Sequence, residues 1–191
     1  MIAPPYWGEN PMTVIMAMWD EDGSILVGTD SQATDEDGLK SEVKKVRLVA
    51  PDVPVIWSSA GNPAIGASGF AQWLATFNFK NTNWPKLAQE AGKVWSRLNG
   101  EQRERCKLAG LTLDVNSEQK YLSDGLLAGW LHGRAAMYGL DNDGNLVPYT
   151  TERLFAVGTG APVAKAVFLS MFYVQEIKDR LTIMKTALTT A

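Results

Sequence analysis

Strand-like and helix-like segments come in separate blocks along this chain, and that order limits the folds open to it. Short runs that suit β-strands, such as residues 13–19 and 24–29, fill the first third and are joined by turns rich in Asp and Gly. Two segments with helical periodicity follow, then a second block of strands, then two more helical segments. A βαβ fold would alternate the two kinds of segment, whereas separated blocks favour α+β layers. We therefore expect a four-layer αββα sandwich, in which two antiparallel sheets pack between two helix layers.

Local signals predict several element boundaries. The second helix is expected to begin at Trp84-Pro85 and to end at Asn99-Gly100, because glycine often terminates helices. Apolar residues alternate with polar ones after residue 108, so residues 111–115 predict a strand. Residues 43–49 predict another strand, which would contain a pair of lysines.

The length, charge and composition of the chain exclude several classes of function. The 191 residues suit one domain, which we place at residues 13–191, after a proline-rich N-terminal arm or pro-segment at residues 1–12. The net charge of −3 gives no sign of a nucleic-acid surface, and a single histidine excludes a histidine-rich zinc site. One cysteine fits a reducing compartment, and no apolar run is long enough for a membrane span. We expect a cytoplasmic protein with neither cofactor nor metal.

Short motifs in a fixed order are the most specific feature. Their sequences are Thr13-Val-Ile-Met-Ala17, Gly28-Thr-Asp-Ser-Gln-Ala-Thr34, Val43-Lys-Lys-Val-Arg47, Ser59-Ala-Gly61 and Leu154-Phe-Ala-Val-Gly-Thr-Gly160. Together they resemble the proteasome β subunits, and most closely the HslV-type proteases, over nearly the whole chain. These are N-terminal-nucleophile (Ntn) hydrolases, so the resemblance implies the Ntn-hydrolase form of the αββα sandwich.

The resemblance implies a role for five residues. Thr13 matches the nucleophilic threonine, whose own α-amine is the base; a free α-amine has a pKa of roughly 7.7–8, which suits proton transfer near neutrality. Lys45 matches the lysine whose charge favours the deprotonated threonine oxygen, and Asp30 matches the acid that orients it. Gly61 matches the glycine whose N–H faces the oxyanion. Thr159 stands where the family usually has a serine near the amine.

The same resemblance implies a threonine endopeptidase that assembles as a homo-oligomeric ring. Its substrates would be peptides or unfolded proteins, delivered by a separate ATP-dependent unfoldase. Residues 1–12 precede Thr13, so a free amine requires their removal, or translation that starts at Met12 followed by loss of that methionine. If the amine stays blocked, the chain is instead a catalytically inactive structural or assembly subunit of a ring or a virion-type shell. A different Ntn-type amidase is a third interpretation.

Overall fold

The computed structural model of the chain describes residues 13–30, 32–34, 40–42, 44–114, 118, 121–149, 154–175 and 179–190. The described strands are β1 (Ile15–Trp19), β2 (Ile25–Thr29), β3 (Gln32–Thr34), β4 (Lys40–Glu42), β5 (Arg47–Ala50), β6 (Val53–Gly61), β7 (Ser123–Leu131), β8 (Arg134–Leu140), β9 (Leu146–Pro148) and β10 (Phe155–Val157). The described α-helices are α1 (Ala71–Thr76), α2 (Trp84–Leu108), α3 (Ala161–Leu169) and α4 (Arg180–Thr190). Two π-helical segments, Ala64–Phe70 and Ser170–Val174, adjoin α1 and α3.

The strands form two main antiparallel sheets. One has three strands in the order β10-β1-β2, so its first and last strands come from opposite ends of the chain. The other has five strands in the sequential order β5-β6-β7-β8-β9. Strands β3 and β4 pair as a separate two-stranded ribbon. Sequential antiparallel neighbours need only short connections, which the Asp- and Gly-rich turns supply.

Three apolar clusters separate the layers. One joins the five-stranded sheet to α1 and α2, a second joins the three-stranded sheet to α3 and α4, and a third lies between the sheets. Strand β1 contributes to both sides: Met16 and Met18 face α3 and α4, whereas Ile15 and Ala17 face the other sheet. Because side chains alternate along a strand, a strand covered on both faces is apolar throughout. The expected αββα sandwich is confirmed.

The length of α2 and the positions of two strands differ from the sequence-based expectations. Helix α2 continues through Asn99-Gly100 to Leu108, because the Asn99 side chain is buried against β7 rather than capping a helix end. Residues 111–114 form no strand. Strand β5 begins only at Arg47, so Lys45 precedes it. The arm at residues 1–12 lies outside the described residues.

A buried polar network joins α2 to β7. The Asn99 amide donates to the carbonyl oxygens of Trp95 and Ser123, both at 3.2 Å, and its Oδ1 accepts from Ser123 N at 2.8 Å. Ser123 Oγ donates in turn to the carbonyl of Asn62 at 2.9 Å. Asn99 is fully buried, so each of these bonds compensates for lost hydration. The network therefore fixes the chain just after β6 against the long helix.

No α-helix among the described residues is both long enough and apolar enough to cross a membrane.

Replacing Asn99 with alanine is expected to lower the free energy of unfolding by about 1–3 kcal/mol, because it removes the side-chain acceptor of the buried Ser123 N–H. Urea denaturation followed by circular dichroism measures the change. Glu104→Ala, at an exposed position of the same helix, is the matched control and should change stability by less than about 0.5 kcal/mol. Equal effects of the two substitutions would contradict this account of the network.

Candidate active site

Thr13 lies two residues before β1, and both its N–H and its carbonyl are hydrogen-bonded to the turn between β10 and α3. Thr13 N donates to Thr159 Oγ1 at 3.1 Å, and the Thr13 carbonyl accepts from Gly160 N at 3.3 Å. By the alternation of β1, position 13 shares the face of Ile15 and Ala17, which is the face toward the other sheet. The Thr13 side chain is half-buried there.

Lys45 and Asp30 form an ion pair beside the Thr13 hydroxyl. Lys45 Nζ lies 2.6 Å from Asp30 Oδ2 and 3.2 Å from Thr13 Oγ1. The two charged side chains are only 9% and 18% exposed, so water screens their interaction weakly. Asp30 follows β2, and its Oδ1 also accepts from Val14 N at 2.7 Å. The carboxylate therefore holds both the ammonium group and the start of β1.

The direction of these hydrogen bonds limits what Thr13 can do. An ammonium group has only donors, so Thr13 Oγ1 accepts from Lys45, and the hydroxyl proton must point away from it. A base for that proton must lie elsewhere. The nitrogen of Thr13 is adjacent, but within a continuous chain it is an amide, and here it donates to Thr159. It gains a lone pair for the proton only if the bond to Met12 is cleaved.

Gly158 determines how closely this turn approaches Thr13, although the sequence motifs gave it no role in the site. Its φ is +100°, a conformation that favours glycine, and a Cβ at this position would lie 2.0 Å from the Thr13 carbonyl oxygen. The Gly-Thr-Gly sequence at residues 158–160 is the signal in the sequence, because glycine permits close backbone approach. Gly158 therefore belongs to the site as a spacing residue.

Gly61 ends β6 on the other main sheet, where it pairs with Ser123. Its φ is +108°, and a Cβ would lie 2.0 Å from the carbonyl oxygen of Leu122, so a larger residue does not fit. The structure thus brings together four of the five expected residues, namely Thr13, Asp30, Lys45 and Thr159. The role of Gly61 toward an oxyanion stays a prediction.

Asp124, a carboxylate with a raised pKa, lies in β7 next to Ser123, the residue that pairs with Gly61. Asp124 of β7 pairs with Ala60 of β6, and burial raises the pKa of its carboxyl to about 6. The negative charges of Asp141 and Glu118 raise this pKa further, whereas a hydrogen bond from the Asn142 backbone opposes them. Within the described part of the chain, no three His, Cys, Asp or Glu side chains converge as metal ligands.

The overall fold has close counterparts among solved structures. Anbu from Hyphomicrobium sp. strain MC1 superposes with a TM-score of 0.64 and 16% identity, over 94% of this chain and 75% of that one. Anbu (ancestral beta-subunit) from Yersinia bercovieri gives 0.61 and 19%, over 81% of this chain and 66% of that one. Eukaryotic HslV from Trypanosoma brucei gives 0.57 and 19%, over 93% and 89%.

These similarities establish the fold, which is that of Anbu and HslV. The chain spans just under two thirds of the length of the Yersinia Anbu chain. No protein-family model and no curated protein sequence matches the chain.

Gly158→Ala is expected to destabilise the protein by more than about 2 kcal/mol, because the new Cβ collides with the Thr13 carbonyl. Gly110→Ala is the matched control: Gly110 also has positive φ, +76°, but no atom lies within 4 Å of the point that a Cβ would occupy there. That control isolates the backbone penalty, about 1 kcal/mol. Chemical denaturation measures the free energy of unfolding of both variants. Similar decreases in the two variants would show that residue 158 is not in close contact with the Thr13 carbonyl.

Asp124→Asn is expected to raise the free energy of unfolding at pH 7.5 by roughly 1–2 kcal/mol, after allowance for partial exposure. The folded-state pKa of about 6 lies above the ordinary value of 3.8, so the folded protein binds this proton more tightly than the unfolded chain. Its stability therefore falls as pH rises from about 4 to about 6 and the proton is lost. Urea midpoints between pH 4 and pH 8 measure this, with Glu104→Gln as an exposed control. A variant that is less stable than the parent at pH 7.5 would contradict it.

Proposed function

We propose that this chain is a threonine endopeptidase of the Ntn-hydrolase type, with Thr13 as the nucleophile. The observation that carries the proposal is the contact between the Lys45 ammonium and Thr13 Oγ1, together with the ion pair to Asp30. A positive charge fixed 3.2 Å from a hydroxyl oxygen stabilises the negative charge that develops there during attack. The low exposure of the ion pair increases this effect.

The reaction would begin with removal of the residues that precede Thr13, which frees its α-amine. Thr13 Oγ then attacks the carbonyl carbon of the scissile peptide, and the hydroxyl proton moves to the amine. The tetrahedral intermediate collapses when the protonated amine gives that proton to the leaving nitrogen, which leaves an ester on Thr13. Water hydrolyses the ester with the amine again acting as base. The backbone N–H of Gly61 is the proposed donor to the oxyanion.

Two neighbours have supporting roles in this mechanism. Thr159 Oγ1 lies 3.1 Å from Thr13 N, so it is placed to orient the free amine once it exists. The Asp30 carboxylate accepts from Lys45 Nζ at 2.6 Å and so aims the lysine side chain at the hydroxyl. The base and the nucleophile thus belong to one residue, and the surrounding groups only fix their positions and charges.

Substrate and assembly are proposed from the family resemblance. Peptides or unfolded proteins are the substrate class, a homo-oligomeric ring is the assembly, and a separate ATP-dependent unfoldase is the partner. The similarity of the fold to HslV supports the ring, because the same layers would be available for subunit contacts.

Thr13→Ala is expected to reduce the hydrolysis of fluorogenic peptides by at least about a thousandfold, because it removes the nucleophile. Thr13→Ser, which retains a hydroxyl, should keep part of the activity. Intact mass spectrometry of each preparation establishes whether Thr13 is the first residue, and the assay includes both the full chain and a chain freed of residues 1–12. If neither form shows turnover that depends on Thr13, the structural-subunit alternative replaces the peptidase.

A further inference from the structure

Ser58 is a buried serine of β6, and its hydroxyl contacts the backbone of Lys45, the lysine of the candidate site. Its side chain is 1% exposed, and Oγ donates to the carbonyl oxygen of Lys45 at 3.0 Å. Ser58 pairs across the sheet with Leu126, which belongs to the cluster between the sheets. Cross-strand partners share a face, so Ser58 also points toward the layer that contains Thr13.

The pairing of β5 with β6 explains why Lys45 needs such a contact. In this ladder Arg47 lies opposite Trp57, and the Arg47 guanidinium lies over the Trp57 ring at 5.7 Å. Trp57 faces α1 and α2, so Arg47 points away from the other sheet. Had the ladder continued, Lys45 would have lain opposite Ser59 on that same helix-facing side, because side chains alternate along a strand. The Lys45 ammonium could not then reach Thr13.

The chain instead leaves the ladder before Arg47, and the preceding backbone is held by side chains. Ser58 Oγ binds the carbonyl of Lys45, and Arg47 Nε donates to the carbonyl of Lys44 at 3.3 Å. Arg47 is exposed, whereas Ser58 is buried, so the Ser58 bond is the better protected of the two. The result is that Lys45 turns toward Asp30 and Thr13.

We propose that Ser58 is a positioning residue for Lys45: its hydroxyl replaces a ladder hydrogen bond and sets the direction in which the ammonium points. Ser58 does not touch the reacting atoms, and it acts only through the Lys45 backbone. Its effect on catalysis rests on the proposed peptidase function, whereas its effect on Lys45 does not. Two experiments separate these consequences: the first uses the form that hydrolyses peptides, either the full chain as isolated or the chain freed of residues 1–12, and the second uses the full chain.

The first experiment measures peptide hydrolysis by Ser58→Ala and Ser58→Thr. A displaced ammonium should lower kcat by about tenfold to a hundredfold with little change in KM, because substrate contacts are untouched. The acid limb of the kcat/KM profile should move to higher pH, because the nearby positive charge that disfavours protonation of the Thr13 amine is displaced. Ser58→Thr keeps the hydroxyl and should show the same pH dependence of kcat/KM as the parent protein. Ser96→Ala, an exposed position on α2, is the control and should leave it unchanged.

The second experiment is a double-mutant cycle on stability, which needs no activity. Ser58→Ala is introduced into the parent protein and into Lys45→Met, and urea midpoints are measured. If the hydroxyl aims the Lys45 side chain, its removal should lower the midpoint more in the parent than in the Lys45→Met background. Equal shifts would mean that Ser58 only satisfies a carbonyl, and the proposal would be overturned.

The two results together distinguish failure of this proposal from failure of the proposed function. A non-additive cycle in a protein without Thr13-dependent turnover supports the positioning role and rejects the peptidase. An additive cycle rejects the positioning role whether or not peptides are hydrolysed. Turnover with an unshifted acid limb in Ser58→Ala also overturns it.

Discussion

The ion pair between Lys45 and Asp30 is the interaction on which the site depends. Removing an ammonium and a carboxylate from water costs several kcal/mol per ion, so such a pair persists only where both groups find further partners. Here Asp30 also accepts from Val14 N, and Lys45 also donates to Thr13 Oγ1. These bonds connect the end of β2, the start of β1 and the segment before β5. The pair therefore links the two main sheets at the point where a nucleophile would work.

The packing of the αββα layers fixes the orientation of Thr13 relative to Lys45. Strand β1 is covered on both faces, and a shift of one residue would exchange Ile15 and Ala17 with Met16 and Met18 between two different cores. The same shift would turn Thr13 away from Lys45. Gly158 adds a second constraint, because its lack of a side chain lets the turn before α3 approach the Thr13 carbonyl. The position of the Thr13 hydroxyl is thus determined by the packing of β1 in the core and by the close approach of the Gly158 turn.

Much of this was predictable from the sequence, because block order and turn chemistry are local signals. The αββα sandwich follows from segment order, whereas the residues that meet at Thr13 follow from the resemblance of the short motifs to the proteasome β subunits. Tertiary contacts decided the rest: Asn99-Gly100 looks like a helix end, but burial of Asn99 against Ser123 keeps α2 helical beyond it. Lys45 lies in a run with strand propensity, yet it leaves the ladder. Ser58 has no sequence signal, since its importance depends on which residue lies across the sheet.

Covalent labelling identifies which hydroxyl of the protein is activated. A peptidyl β-lactone is opened by an activated hydroxyl and leaves the whole reagent attached as an ester, so peptide mapping by mass spectrometry locates the reactive residue. We predict a single ester, on the Thr13 hydroxyl of protein whose first residue is Thr13, and we predict that this ester is lost in Lys45→Met. Labelling at another residue, or equal labelling of Thr13 with and without the Lys45 ammonium, would contradict it.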